Sequence, residues 1–164
     1  MYDMHTQHEG TRSIVPEPLA DALARVATAP MAVLGLGIPR CPATQMLPAS
    51  LTVVANVRTD LPIALGILSR PEEWGARETE LWPRRIHISR SVVPILVVLR
   101  EGLAIATRRG GASAYVIDTW LADAAGLPPT QLAEPWADDE HDELAQLAAR
   151  RAQHAAVTGR AAVD

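Results

Sequence analysis

The sequence predicts a single α+β domain, and three observations carry that expectation. The chain has 164 residues, 48% of them apolar, which is enough to bury a real core and excludes wholesale disorder. Its densest β-branched run, from Arg77 to Leu99, breaks into short pieces of strand length. Helix-period stretches stand near both ends, Pro16–Ala29 and Asp138–Gln153. The expected organisation is a flexible lead-in over residues 1–16, one domain over 17–157 and a frayed tail over 158–164.

Composition narrows the function classes. The net charge of −4 gives the chain as a whole no attraction for nucleic acid. No uncharged apolar run reaches the ~20 residues that span a bilayer; the best candidate, Val92–Thr107, is interrupted by Arg100 and Glu101. The polar N-terminus lacks a signal-peptide apolar region, so a cytoplasmic protein without membrane contact is expected. A single cysteine, Cys41, excludes an internal disulfide and a thiolate metal cluster. Every basic residue is arginine, so arginine at any one site discriminates little against lysine.

In chain order, His5 and His8 sit three apart in the polar lead-in, a spacing that could suit a metal on a helix, but a flexible polar tail is the expected reading. Pro16–Ala29 reads as a helix: Pro18 suits its first turn, Leu19, Leu23 and Val26 recur at helical spacing, and Pro30 ends it. Met31–Ile38 is a strand or a closely packed turn with two glycines. Cys41 follows in the proline-bounded loop PRCPAT. No histidine follows it at a thiol-hydrolase spacing, so it reads as a small apolar residue or, alternatively, a reactive thiol. Leu51–Val57 reads as a strand from its β-branched content, RTDLP as a turn, and Ile63–Leu68 as a second strand. Ser69–Gly75 is a loop or short helical turn.

Arg77–Leu81 and Arg84–Val93 read as two strands joined at Trp82–Pro83. The period-2 rule then puts Ile86, Ile88, Arg90 and Val92 on one face and His87 on the other, polar one. An arginine among apolar neighbours needs a carboxylate or a bound anion, because it cannot shed its charge. Glu78 or Glu80 across the turn supplies one such partner; a bound carboxylate ligand supplies another. Pro94–Gly111 reads as two strands with a hairpin at Glu101–Gly102, against a helical alternative. Ala114–Trp120 is a strand or the start of a helix that Gly126 stops. LPPTQLAEPW is a loop, and DDEHDE opens the last helix where negative charge suits the helix dipole.

Between Thr44 and Pro94 the order of features resembles the chorismate pyruvate-lyases and the UTRA ligand-binding domains of the same superfamily. The matching elements are Thr44-Gln45-Met46-Leu47, the run Leu51–Val57, Trp74-Gly75-Ala76-Arg77-Glu78 and Arg90-Ser91-Val92-Val93-Pro94. The resemblance covers about a third of the chain and implies an antiparallel β-sheet covered by helices with a ligand cavity between the layers. It implies that Arg77 grips a ring carboxylate bidentately, that Arg90 supports it, and that Glu134 is the general acid. The implied reaction is a cofactor-free, metal-free elimination that releases pyruvate and an aromatic acid from a cyclic carboxylate. The alternatives are a non-catalytic binding domain for a small organic acid, or a structural subunit. For the last, Leu144, Leu147 and Ala148 form an apolar stripe that suits another chain, leaving a homo-oligomer open.

Overall fold

The structure, a computed structural model, describes residues 11–70, 74, 81–89 and 92–132. Within them the chain runs β1 (Pro16–Pro18), α1 (Leu19–Val26), β2 (Met31–Gly37), α2 (Pro42–Val57), β3 (Ile63–Ile67), β4 (Ile95–Arg100), β5 (Leu103–Arg109) and α3 (Ala114–Ala125). The strands form one sheet in the order β1-β3-β2-β4-β5. β1, β3 and β2 run parallel; β4 is antiparallel to β2, and β5 to β4. α1 and the segment Leu81–Ile88 cover one face, and α2 and α3 cover the other.

This is a mixed sheet with helices on both faces, which corrects the expected antiparallel sheet. That expectation came with the lyase resemblance, and a misread helix supported it. Leu51–Val57, expected as a strand, is the C-terminal half of α2. Its buried positions are Thr44, Leu47, Leu51, Val54 and Ala55, a spacing of three and four that lays one stripe along a helix. Pro42 opens it at a position where the missing N–H costs nothing. The β-branched Val53 and Val57 point outward, each more than 40% exposed, so burial decided against local strand propensity. A helix there turns β2-α2-β3 into a crossover between parallel strands.

β4 lies inside the sheet, and Ile95 to Leu99 are all buried, so both of its faces meet core. The expected hairpin at Glu101–Gly102 is present. Both residues have positive φ, 51° and 78°, which is the two-residue turn that matches strand twist. The expected strand over Arg84–Val93 is replaced by a 3₁₀ turn at Trp82–Arg84 and irregular backbone from Ile86 to Ser89. Ile86 and Ile88 are nonetheless buried and His87 exposed, so the alternation survives without a ladder. Ala114–Ala125 is a helix, capped by Ser113 at its start and by Gly126 at φ 64° at its end.

Two glycines set the height of α2 above the sheet. A Cβ at Gly37 would collide with the Thr44 side chain, and one at Gly111 would lie 2.7 Å from the Ala43 carbonyl oxygen. The far end of α2 is fastened by polar groups. Arg12 hydrogen-bonds carbonyls there, the shortest to Thr59 O at 2.9 Å, and its backbone exchanges bonds with the Asn56 side chain. Arg58, just past α2, donates to Asp118 on α3 at 2.6 Å, both side chains about 93% buried. Arg58 also donates to Pro128 O, and Thr130 donates to the second Asp118 oxygen. Among the described residues no helix is long and apolar enough to cross a membrane.

Asp118→Ala strands the Arg58 charge in the core and is expected to cost about 3–5 kcal/mol of stability. Denaturant titration measures it; a loss under 1 kcal/mol would show that water reaches Arg58 freely.

Candidate functional site

Three segments meet at the end of the sheet where β2 stops. The first is the turn Ile38–Arg40, which leads from β2 into α2. The second is the cis peptide Val93–Pro94, one residue beyond the last β2–β4 pair, Leu36 and Ile95. The third is Gly110–Gly111, whose Gly110 N–H donates to Pro94 O at 2.8 Å. Cys41 stands among these segments as the N-cap of α2, partly exposed.

The local chain holds it there. Arg40, directly before it, has φ 60°, a left-handed conformation that costs a non-glycine residue of order 1 kcal/mol. Pro42, directly after it, has no N–H to turn toward the sulfur. The amides free to do so are those of Ala43 and Thr44, at the positive end of the helix. No cap hydrogen bond of full strength closes on the sulfur, but these groups lie close enough to shift its titration. The Thr44 amide, then the Thr44 hydroxyl, hold the thiol below its ordinary pKa; partial burial opposes them weakly, and the Ala43 amide adds to them.

Thr44 is only 5% exposed and its oxygen also accepts from Ile38 N at 3.4 Å. It spans β2 and the thiol, and the space for it exists because position 37 is glycine. A thiol at a helix N-terminus is a setting in which cysteine becomes more nucleophilic at neutral pH.

The solved structures most informative here are two. A solution structure of reduced desulfothioredoxin from Desulfovibrio vulgaris Hildenborough is 18% identical, with a TM-score of 0.53, over 68% of this chain and 99% of that one. A crystal structure of Chlamydomonas reinhardtii thioredoxin f2 is 11% identical, with a TM-score of 0.50, over 68% and 96%. The fold is that of thioredoxin. No protein-family model matches the sequence, and no curated protein matches it either.

The thioredoxin fold overturns the lyase resemblance. The residues quoted for it at Leu51–Val57 lie on a helix, and its sheet would have to be antiparallel throughout. The elimination chemistry goes with that fold, and so does the organic-acid-binding alternative built on it; the stripe Leu144, Leu147 and Ala148 behind the structural-subunit alternative lies outside the described residues. Arg77, Arg90 and Glu134, and the helix expected at Asp138–Gln153, lie outside the described residues. Among the described residues no group of three His, Cys, Asp or Glu is placed to hold a metal ion.

Where thioredoxin-type chemistry uses two thiols, they are spaced Cys-X-X-Cys. This chain reads Cys41-Pro42-Ala43-Thr44 and has no other cysteine. A hydroxyl therefore stands at the second position of that spacing, and it faces the first. The sequence carried one signal for this arrangement: Pro42 suits the first position of a helix, which makes Cys41 its N-cap. Reading Leu51–Val57 as a strand hid the helix and so hid the cap.

The lowered thiol pKa has a direct readout. Thiolate, the reactive form, persists to lower pH when the pKa falls, so the iodoacetamide rate at Cys41 should rise with a midpoint below the ~8.5 of a free cysteine. In Thr44→Val the hydroxyl is gone, and that midpoint should move upward. An unchanged midpoint would remove Thr44 from the site.

Proposed function

We propose that this protein carries out thiol–disulfide exchange through a single cysteine. The observation that supports this most is the position of Cys41: alone, partly exposed, at the N-terminus of α2 of a thioredoxin fold, with its pKa held down by Thr44 and Ala43.

The exchange balances with one protein thiol. Cys41 thiolate attacks one sulfur of a disulfide; a new S–S bond forms to Cys41, the old one breaks, and one thiolate leaves. The chain has no second cysteine to attack the mixed disulfide. A thiol from another molecule completes the cycle, releasing Cys41 as thiolate and a new disulfide. Two structural details favour attack over storage. The helix N-terminus stabilises the thiolate as nucleophile and again as leaving group. Thr44, standing where a resolving thiol would be, helps hold the thiol pKa down without competing as a nucleophile. A reducing cytoplasm suits this chemistry, since thiols there keep Cys41 reduced between cycles.

Whole-protein mass measurement tests the reading. Reduced protein incubated with glutathione disulfide should gain one glutathionyl group, lose it to added dithiothreitol, and gain none as Cys41→Ser. The folded protein should react at least tenfold faster at pH 7 than the same chain in guanidinium, where Cys41 is an ordinary thiol. Equal rates in the two states would sink the proposal, because the fold would then contribute nothing to the reaction.

A further inference from the structure

The opposite end of α2 holds a hollow that the thiol chemistry does not use. It lies between the end of α2 with its following turn and the segment Leu127–Gln131, and its volume is about 650 Å³, within the ~300–1,000 Å³ of small-molecule sites. Sixteen residues of α2 separate it from Cys41, about 24 Å at helical rise.

Its chemistry is one-sided. Met31, Leu61 and Leu127 give it apolar walls. Pro30, Pro62, Pro128 and Pro129 also line it, and proline has no N–H to offer an anion; the carbonyls of Pro30, Pro62 and Pro128 already accept from Glu101 N, Val33 N and Arg58 Nη1. The one cation in the lining, Arg58, is turned to other partners: Nε to Asp118 at 2.6 Å and Nη1 to Pro128 O at 3.0 Å. Asp60, by contrast, lines the hollow as an exposed carboxylate, and among the described residues no basic side chain pairs with it within salt-bridge distance. The hollow thus offers apolar surface and one negative charge, while its positive charge is spent. The wall is also held in place, because Thr130 donates to Asp118 and Arg58 grips Pro128.

We propose that this hollow binds a small apolar molecule bearing a protonated amine, with the ammonium against Asp60 and the apolar body against Met31, Leu61 and Leu127. The buried Arg58–Asp118 pair makes no direct bond to the ligand; it keeps the proline segment at a fixed distance from α2.

Benzylamine is the probe, with benzyl alcohol and phenylacetate as neutral and anionic molecules of similar size. Titration of the ¹⁵N-labelled full chain, followed by amide NMR, should give saturable shifts confined to residues near 58–61 and 127–131. Asp60→Asn should weaken benzylamine at least fivefold while leaving the spectrum of the free protein otherwise in place. Benzyl alcohol should bind more weakly, and phenylacetate should not bind there. Cys41→Ser should leave the affinity unchanged, which separates this site from the thiol. Equal affinity in Asp60→Asn, binding of phenylacetate as tight as that of the amine, or no saturable shift in these segments would each overturn the proposal.

Discussion

The contact that the described structure depends on is the seating of α2 against the sheet. A helix normally rides about 10 Å from the backbone it covers, held off by side chains. Here the first turn of α2 comes closer, because Gly37 and Gly111 present bare backbone to Thr44 and Ala43. Two consequences follow from the same approach. Thr44 is buried and can reach both Ile38 N and the Cys41 sulfur. The helix N-terminus is also held at the sheet end where Pro94 and Gly110 meet, so the partial positive charge of the helix is spent on the thiol region and not on bulk water.

The other end of α2 is secured in a different currency. Apolar packing of Val54 and Ala55 buries this end of α2 but sets no orientation for the Arg58 side chain that follows it. The Arg58–Asp118 pair removes that freedom. A buried ion pair is a poor source of net stability, because desolvating both charges offsets most of the attraction. What this pair adds is direction: the guanidinium can satisfy Asp118 and Pro128 O together in one orientation. Arg12 contributes at the same end by bonding the carbonyls that a helix C-terminus leaves open. The thiol end is therefore positioned by steric fit and the far end by hydrogen-bond geometry.

Much of the sheet was readable in the sequence, and the failure is instructive. Ile63–Leu68, the Glu101–Gly102 hairpin and the first helix through Leu19, Leu23 and Val26 were legible because propensity, periodicity and turn chemistry agree there. At Leu51–Val57 they conflict. LTVVANV is β-branched, but the apolar stripe of α2 begins at Thr44 and Leu47 and is visible only when the whole run from Pro42 is taken together. Pro48 lies inside the helix; its ring removes one backbone bond but leaves the buried stripe intact. That misread element supported a family resemblance whose antiparallel sheet the observed topology excludes. Arg84–Val93 failed differently. Its alternation correctly separated Ile86 and Ile88 from His87, but period 2 reports which side of a segment faces the core, not whether that segment has a strand to pair with.

The same reasoning explains why the candidate thiol was harder to read than the core. Burial patterns repeat along an element and can be averaged over several residues, whereas a functional cap is a single residue whose meaning depends on where a helix starts. Cys41 taken as a loop residue is a small apolar side chain; taken as the N-cap of α2 it is a thiol whose pKa is held down by the Thr44 amide and hydroxyl and by the Ala43 amide. Nothing in the cysteine itself distinguishes these states. The difference lies sixteen residues away, in whether Val57 closes a helix or a strand, and it is the sheet glycines that convert that distant choice into chemistry by letting the helix start against the backbone.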